Sequence, residues 1–274
     1  YQYYSIARAL PSIDNLQARA SQFETTRIYD REGGVLSEIL DPQAGRRTHV
    51  PLEKISPYLL AATIATEDKG YYTHPGFDPL AIARAIVQNW TNGEVVSGAS
   101  TITQQLTRAL LFDPQERAAR TSDRKIREII LAAEITRKYS KDQILELYLN
   151  EIYYGNLSYG VEAAAETYFQ ATAGELTLAQ ASFLAGLPQA PAVYDIFSAR
   201  EAALERHKQV LVLIAQTSAD EGCIFVSNSP QRVCVTPEEA GAAFTEISGY
   251  EFTAPRAEVR YPHWVYTIRA QLEA

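Results

Sequence analysis

Methionine is absent from the 274 residues, and cysteine, tryptophan and histidine number only two, two and four. A chain without methionine is expected to be a piece of a longer translated product. The histidines (His49, His74, His207 and His263) are scattered and the cysteine pair has no second pair beside it, which excludes a zinc site of the usual nitrogen and sulfur ligands. No apolar run approaches the roughly 18 residues that cross a bilayer as a helix, and no signal peptide is visible. An excess of positive charge is missing as well. The net charge is −8, so there is no global basic footprint for nucleic acid.

What is present describes a globular protein. With 46% hydrophobic and 21% charged residues, the chain is long enough for one large domain or one and a half. It opens "YQYYSIARAL", with three tyrosines in the first four residues. Tyrosine is favoured at the membrane–water interface, so residues 1–24 read either as a juxtamembrane segment after a missing anchor or as a frayed domain terminus. Cys223 and Cys234 flank the polar, turn-like "IFVSNSPQRV". That separation suits a local disulfide, which implies an oxidising, extracytoplasmic setting; two unrelated free cysteines are the alternative.

Residues 24–40, "ETTRIYDREGGVLSEIL", read as a β-hairpin whose turn "DREGG" offers Gly33 and Gly34 for positive backbone angles. From Leu52 onward the signals are helical. "SKDQ" from Ser140, "TLAQ" from Thr177, "SARE" from Ser198 and "TPEE" from Thr236 fit the capping-box pattern, a hydroxyl followed three residues on by Gln or Glu. Thr236 also has Pro237 at the first helical position, where a missing N–H costs nothing. "PLAIARAIVQNW", with apolar residues at 80, 83, 86, 87 and 90, and "IREIILAAEI" carry helical spacing. The expected fold is mainly α with a small β entry. A boundary is expected near residue 215, after which the Cys loop, a short helix from Pro237 and "APRAEVRYPHWVYTIRAQLEA" form a second region, 216–274.

The chemistry concentrates in three stretches. In "ATEDKGYYTHPG", residues 65–76, Glu67 and Asp68 end the apolar run "LLAATIA" and are followed by two tyrosines, a histidine and a Pro-Gly turn. A surface helix end and a catalytic acid or base both account for this. In "SGASTITQQLTRALL" the small residues from Ser97 to Ser100 suit close backbone approach to a ligand. Helical spacing then puts Ser100, Gln104 and Arg108 on one face, with Thr101 and Gln105 beside it. Such a row fits sugar hydroxyls and phosphate oxygens, or is an ordinary polar helix face. Arg117, Arg120, Arg124, Lys125 and Arg127, opposed only by Asp123, form a solvated basic helix face or a pocket for an anion. Arg124 and Glu128 are four apart, which an exposed salt bridge worth ~0.3–0.5 kcal/mol explains. Glu128 also opens the apolar run "IILAA". Two carboxylates at core edges with cations between them in sequence fit sugar transfer from a phosphate leaving group. Glycoside hydrolysis also uses a carboxylate pair, without need of the cations.

The ordered set "EDKGYYTHPG", "GASTITQQL", "RKIRE" and "KDQILELYLNEIYYG", continued by "YGVEAAAETYF" and "ASFLAGLPQAP", resembles the peptidoglycan glycosyltransferase domain of class A penicillin-binding proteins (glycosyltransferase family 51) over roughly residues 25–215. The resemblance implies a lysozyme-like helical fold with a smaller membrane-facing lobe that would include "LAIARAIVQNWTNGEVV". It implies a transferase that polymerises lipid II, working on the extracytoplasmic face of the bacterial cell membrane. Glu67 matches the family's catalytic base, which deprotonates the GlcNAc 4-hydroxyl of the acceptor lipid II. That oxygen attacks the growing lipid-linked glycan with inversion, and undecaprenyl pyrophosphate leaves. Glu128 matches the second catalytic carboxylate, and Arg124 and Lys125, with Arg120 in addition, match the pyrophosphate-binding group. Ser100, Gln104 and Gln105 match the polar row, Asp68 and His74 shape the site, and Asn150 and Tyr153 come from the fourth motif. The family commonly uses a divalent cation, Mg²⁺ or Mn²⁺, at the pyrophosphate. Two positions depart from it. Tyr71 stands where Phe is usual, adding a hydroxyl that must be satisfied or exposed. Arg108 replaces the usual Lys, a fork in place of a point charge.

Three other functions compete. "SDRK" from Ser122 satisfies the S-x-x-K of a serine acyltransferase, but lacks its partner motifs. A lysozyme or lytic-transglycosylase type of enzyme shares the fold and the catalytic Glu, and a non-catalytic lipid II-binding module shares the fold. "YPHWVYTIRAQLE" resembles the linker leading to a transpeptidase domain, so such a domain is expected beyond Ala274 in the full chain.

Overall fold

The computed structural model describes residues 10–20, 24–39, 45–84, 100–119, 121–254, 263–264, 267–268 and 271. Among these the protein is mainly α. A short α1 (Leu16–Ala20) precedes the hairpin β1 (Thr26–Tyr29) and β2 (Val35–Ile39) and the two-residue β3 (Arg46–Arg47). Then follow a 3₁₀ turn at Leu52–Lys54, α2 (Pro57–Glu67), α3 (Ile102–Leu111), α4 (Pro114–Ala118), α5 (Ser122–Lys138) and α6 (Lys141–Glu151). The chain continues through β4 (Ser158–Tyr159), α7 (Val161–Phe169), α8 (Leu178–Gly186), α9 (Arg200–Glu221) and α10 (Pro237–Gly249).

Two helical groups share one hydrophobic core. In α2 every residue from Leu59 to Ala65 is buried. A helix apolar all round must lie inside the molecule, and α2 does, packed on α8 and α9, with α10 closing over α8 and α9. The second group sets α3 against α5 and α6. The C-terminus of α2 meets the N-terminus of α3 through Asp68, whose carboxylate accepts the Ile102 N–H at 3.1 Å. That junction is where the chemistry-bearing residues gather.

The hairpin forms as its sequence predicts: β1 and β2 pair antiparallel, with an irregularity between Ile28 and Tyr29. Of the two turn glycines only Gly33 takes a positive φ, +86°. Beside the hairpin, β3 pairs parallel with β4. Capping boxes close the N-termini at Ser140, Thr177 and Thr236. The fourth expected box does not form. Helix α9 starts after Ala199 without a side-chain cap, because Ser198 donates its hydroxyl to the charged Asp195 carboxylate at 2.5 Å. Instead a box at Thr101 and Gln104 caps α3.

Of "PLAIARAIVQNW", residues 79–84 are helical; positions 86, 87 and 90, like the rest of the expected membrane-facing lobe up to Ala99, lie outside the described residues. The expected boundary near 215 falls inside α9, and Ala240, Ala243 and Ile247 of α10 are buried in the same core as the body. Cys223 and Cys234 are joined as a disulfide just past the end of α9. No helix among the described residues is long and apolar enough to cross a membrane.

Candidate active site

Glu67 is the last residue of α2, and the chain leaves the helix at Asp68 into a tight turn that carries the first motif. The Asp68 carboxylate is buried and has two donors, His74 Nε2 at 2.7 Å and the Ile102 amide at 3.1 Å. His74 Nδ1 accepts the Gly76 N–H at 3.2 Å. The two bonds fix its tautomer, with the proton on Nε2 facing Asp68. The turn is anchored from every side. Thr101 donates its hydroxyl to the Gly76 carbonyl (2.6 Å), and Lys141 donates to the His74 carbonyl (2.8 Å). Gly76 takes φ +94° so close to α5 that a Cβ there would lie 2.4 Å from the Ala132 carbonyl oxygen, so only glycine fits. The hydroxyl of Tyr71 is satisfied: the side chain is fully buried and donates to the Lys141 carbonyl at 2.5 Å. Tyr72 faces the disulfide loop, donating to Ser227 Oγ (3.1 Å) with its ring edge-on to Phe225 (4.9 Å). Asn228 of the same loop donates to the Leu52 and Ile55 carbonyls at 3.1 and 2.7 Å, fixing the entry to α2.

The two expected catalytic carboxylates sit in opposite environments. Glu67 is partly exposed and lines a cavity of about 220 Å³ together with Thr66, Asp68, Lys69, Ser100 and Thr101. Its one side-chain hydrogen bond among the described residues comes from Gln105 Nε2, at 2.7 Å, and Gln105 Oε1 in turn accepts the Tyr148 hydroxyl at 3.2 Å. Burial pushes the Glu67 carboxyl above the usual carboxylate range, against the Gln105 donor and the charges of Arg206 and Arg108, while Asp68 adds to the rise. Glu128 is fully buried. It faces three cations: Arg124 Nη1 at 2.5 Å, Lys125 Nζ at 3.0 Å and Arg108 Nε at 3.7 Å. Three cations against one carboxylate leave two net positive charges on this wall. Lys125 also donates to Ser100 Oγ (2.8 Å) and Gln104 Oε1 (2.9 Å), which joins the expected polar row to the basic group. Burial pulls the Lys125 ammonium below its ordinary pKa, and Glu128 opposes that fall.

The basic cluster seen in the sequence is therefore two clusters. Arg124 and Lys125 turn toward Glu128. Arg117 donates to the Phe112 carbonyl, and Arg127 pairs with Glu116 at 2.6 Å over the Phe112 ring, so both belong to an ordinary helix face. Arg120 lies outside the described residues. The Glu128 side chain is 1% exposed, with Arg124, Lys125 and Arg108 between it and the surface. The structure does not bring Asn150 and Tyr153 to the site. Asn150 spends its side chain on backbone, bonding Val50 N–H, the Val50 carbonyl and the Glu146 carbonyl. Tyr153 packs on Tyr159 and accepts the Leu157 N–H. The fourth motif reaches the site through Tyr148 instead. Sequence reading passes over Tyr148 because its position is in phase with the apolar residues of α6; Arg206, which acts on Glu67 from α9, lies outside every quoted motif.

No group of three or more His, Cys, Asp or Glu among the described residues is arranged to hold a metal ion; of the cavity acids, Glu67 accepts from Gln105, Asp68 from His74 and the Ile102 amide, and Asp78 from the Leu80 and Ala81 amides.

Residues 32–215 match the family model described as transglycosylase. The chain belongs to the transglycosylase family. This transglycosylase domain is 43% identical over 188 residues to penicillin-binding protein 1A of Aquifex aeolicus (strain VF5), covering 69% of this chain and 25% of that protein. It is 35% identical over 270 residues to penicillin-binding protein 1A of Escherichia coli (strain K12), covering 98% of this chain and 29% of that protein. A crystal structure of penicillin-binding protein 1A from Haemophilus influenzae aligns with 90% of the chain and 24% of its own, at 22% identity and a TM-score of 0.47. The transglycosylase domain thus spans about a quarter of the length of these relatives. Every residue placed above around Glu67 and Glu128, Tyr148 and Arg206 included, falls within the matched segment.

Proposed function

We propose that this transglycosylase domain polymerises lipid II into glycan strands, with Glu67 as the general base. One observation carries the reading: Glu67, a carboxylate whose pKa burial raises, lines the cavity beside three cations, Arg108, Arg124 and Lys125, that share one buried carboxylate, Glu128. A base must be ionised yet poorly solvated to take a proton from an alcohol efficiently near neutral pH. Glu67 takes the proton of the acceptor's 4-hydroxyl as that oxygen bonds to the anomeric carbon of the lipid-linked donor. The bond from that carbon to the pyrophosphate oxygen breaks with inversion. The charge that develops on the leaving pyrophosphate is met by Arg108, Arg124 and Lys125, which Glu128 holds in place and water does not screen fully. Arg108 lies between the two halves of the reaction, acting on Glu67 by its charge and touching Glu128. The fork of Arg108 suits two phosphate oxygens at once.

In the full protein this activity is placed at the extracytoplasmic face of the bacterial membrane, next to a C-terminal transpeptidase domain. Relatives of which the aligned segments make up only 25% and 29%, and a disulfide that calls for an oxidising compartment, support that placement.

The test is polymerisation of labelled lipid II in detergent with Mg²⁺ or Mn²⁺, comparing wild type with Glu67→Gln. Longer strands from wild type and a loss of about a thousandfold in the variant are expected. Equal strand synthesis by both overturns Glu67 as base. Cleavage of preformed glycan without synthesis turns the reading toward a hydrolase.

A further inference from the structure

The reading of Glu67 as base leaves open what fixes the carboxylate itself. Its one side-chain hydrogen-bond donor among the described residues, Gln105, has an amide that can present either its N–H₂ or its oxygen to the carboxylate. An ionised carboxylate only accepts, so the productive orientation is the one with nitrogen toward Glu67. Nothing in Gln105 alone enforces it. The amide oxygen, however, accepts the Tyr148 hydroxyl at 3.2 Å while Nε2 donates to Glu67 at 2.7 Å. Tyr148 is fully buried in α6, and burial holds its pKa well above the ordinary phenol range, so the group stays a donor throughout the working pH range.

We propose that the Tyr148 hydroxyl is a positioning group for Glu67, acting through Gln105: by donating to the amide oxygen it holds the N–H₂ against the carboxylate. This rests on the proposed role of Glu67, and it adds a residue that sequence reading passed over. The groups facing Glu67 are Asp68 at the end of α2, Gln105 and Arg108 of α3, Tyr148 of α6, Tyr154 just beyond α6, and Arg206 of α9. Asp68 is already held by His74 and the Ile102 amide. Tyr154 supplies an internal comparison. It is as buried as Tyr148 and close enough to feel the Glu67 charge, yet its hydroxyl has no hydrogen-bond partner among the described residues.

Without the Tyr148 hydroxyl, Gln105 loses the preference for its productive face and the carboxylate loses part of its donor. The ionised form is then less favoured. Two measurements on the intact chain test this: the titration midpoint of the Glu67 carboxyl, by ¹³C NMR, and the acid limb of the pH–rate profile for lipid II polymerisation. Tyr148→Phe keeps the ring and is expected to raise both by about half to one pH unit, the equivalent of one ordinary hydrogen bond. Tyr154→Phe is expected to leave both at the wild-type value. Incorporation of 3-fluorotyrosine at position 148, a stronger donor of nearly the same size, is expected to lower them, and it serves if the Phe variant does not fold. An unmoved midpoint in Tyr148→Phe, or an equal rise in Tyr154→Phe, overturns the proposal. A raised NMR midpoint with an unmoved acid limb upholds the positioning role and instead overturns Glu67 as base.

Discussion

Glu67 and Glu128 are the same side chain put to different uses by what surrounds them. Glu128 has three cations within 3.7 Å, and Glu67 has one neutral amide donor. This difference has a stability signature. Folded Glu67 binds its proton more tightly than an unfolded glutamate, whose ordinary value is 4.5. Between 4.5 and the raised folded value the native state therefore carries more protons than the unfolded state, so stability from this group falls as pH rises through that window. At pH 7 the ionised carboxylate is a cost to the fold. Glu67→Gln is expected to stabilise the protein at pH 7 while lowering polymerisation about a thousandfold, and to change stability little at pH 4. Urea melts at the two pH values check this. A destabilised variant at pH 7 would show that Gln105 and the nearby arginines hold the carboxylate more strongly than burial opposes it.

At the scale of elements, the site is a junction between the end of α2 and the start of α3, and the pieces that fix it come from far apart in the chain. The disulfide loop is one of them: Phe225 and Ser227 hold Tyr72, and Asn228 holds the carbonyls of Leu52 and Ile55. Replacing both cysteines, Cys223→Ser with Cys234→Ser, is expected to cost about 2–4 kcal/mol by chemical denaturation. Faster amide exchange is expected at Tyr71, Thr73 and His74, whose N–H groups close the motif turn. Exchange confined to the loop itself would mean that the loop does not brace the turn. The elements also show how far local sequence reaches. Three of four capping boxes and the hairpin form as read, because those signals act within a few residues. The box at Ser198 failed to a carboxylate three residues away, Asp195, which the pattern does not weigh. The site was legible where its groups sit in ordered motifs, as with Glu67, Gln105 and Lys125. The sequence singles out Asn150 and not Tyr148, because both lie on α6 and only tertiary packing decides which one faces Gln105. The buried state of Glu128 was hidden for the same reason.

Over the whole molecule, one core spans α1 to α10, and its polar contents set how the protein meets acid. His207 is buried between α8 and α9 with Ser182 Oγ 2.8 Å from its Nε2, and burial lowers its pKa to about 4. The unfolded state takes up a proton below about 6.5 that the native state refuses until about 4, so stability is lost as pH falls across that interval. The unfolding midpoint is expected to drop most steeply there, and less steeply in His207→Gln, which keeps a partner for Ser182; thermal melts at half-unit pH steps measure it. A further consequence concerns time. Asn228 closes its bonds to Leu52 and Ile55 across 176 and 173 residues. A chain made from its N-terminus holds Glu67 long before it holds the asparagine that steadies the entry to α2. Contacts of such span form late, after their closure entropy has been met. A nascent product ending before residue 228 therefore lacks the bonds that Asn228 makes to the entry of α2.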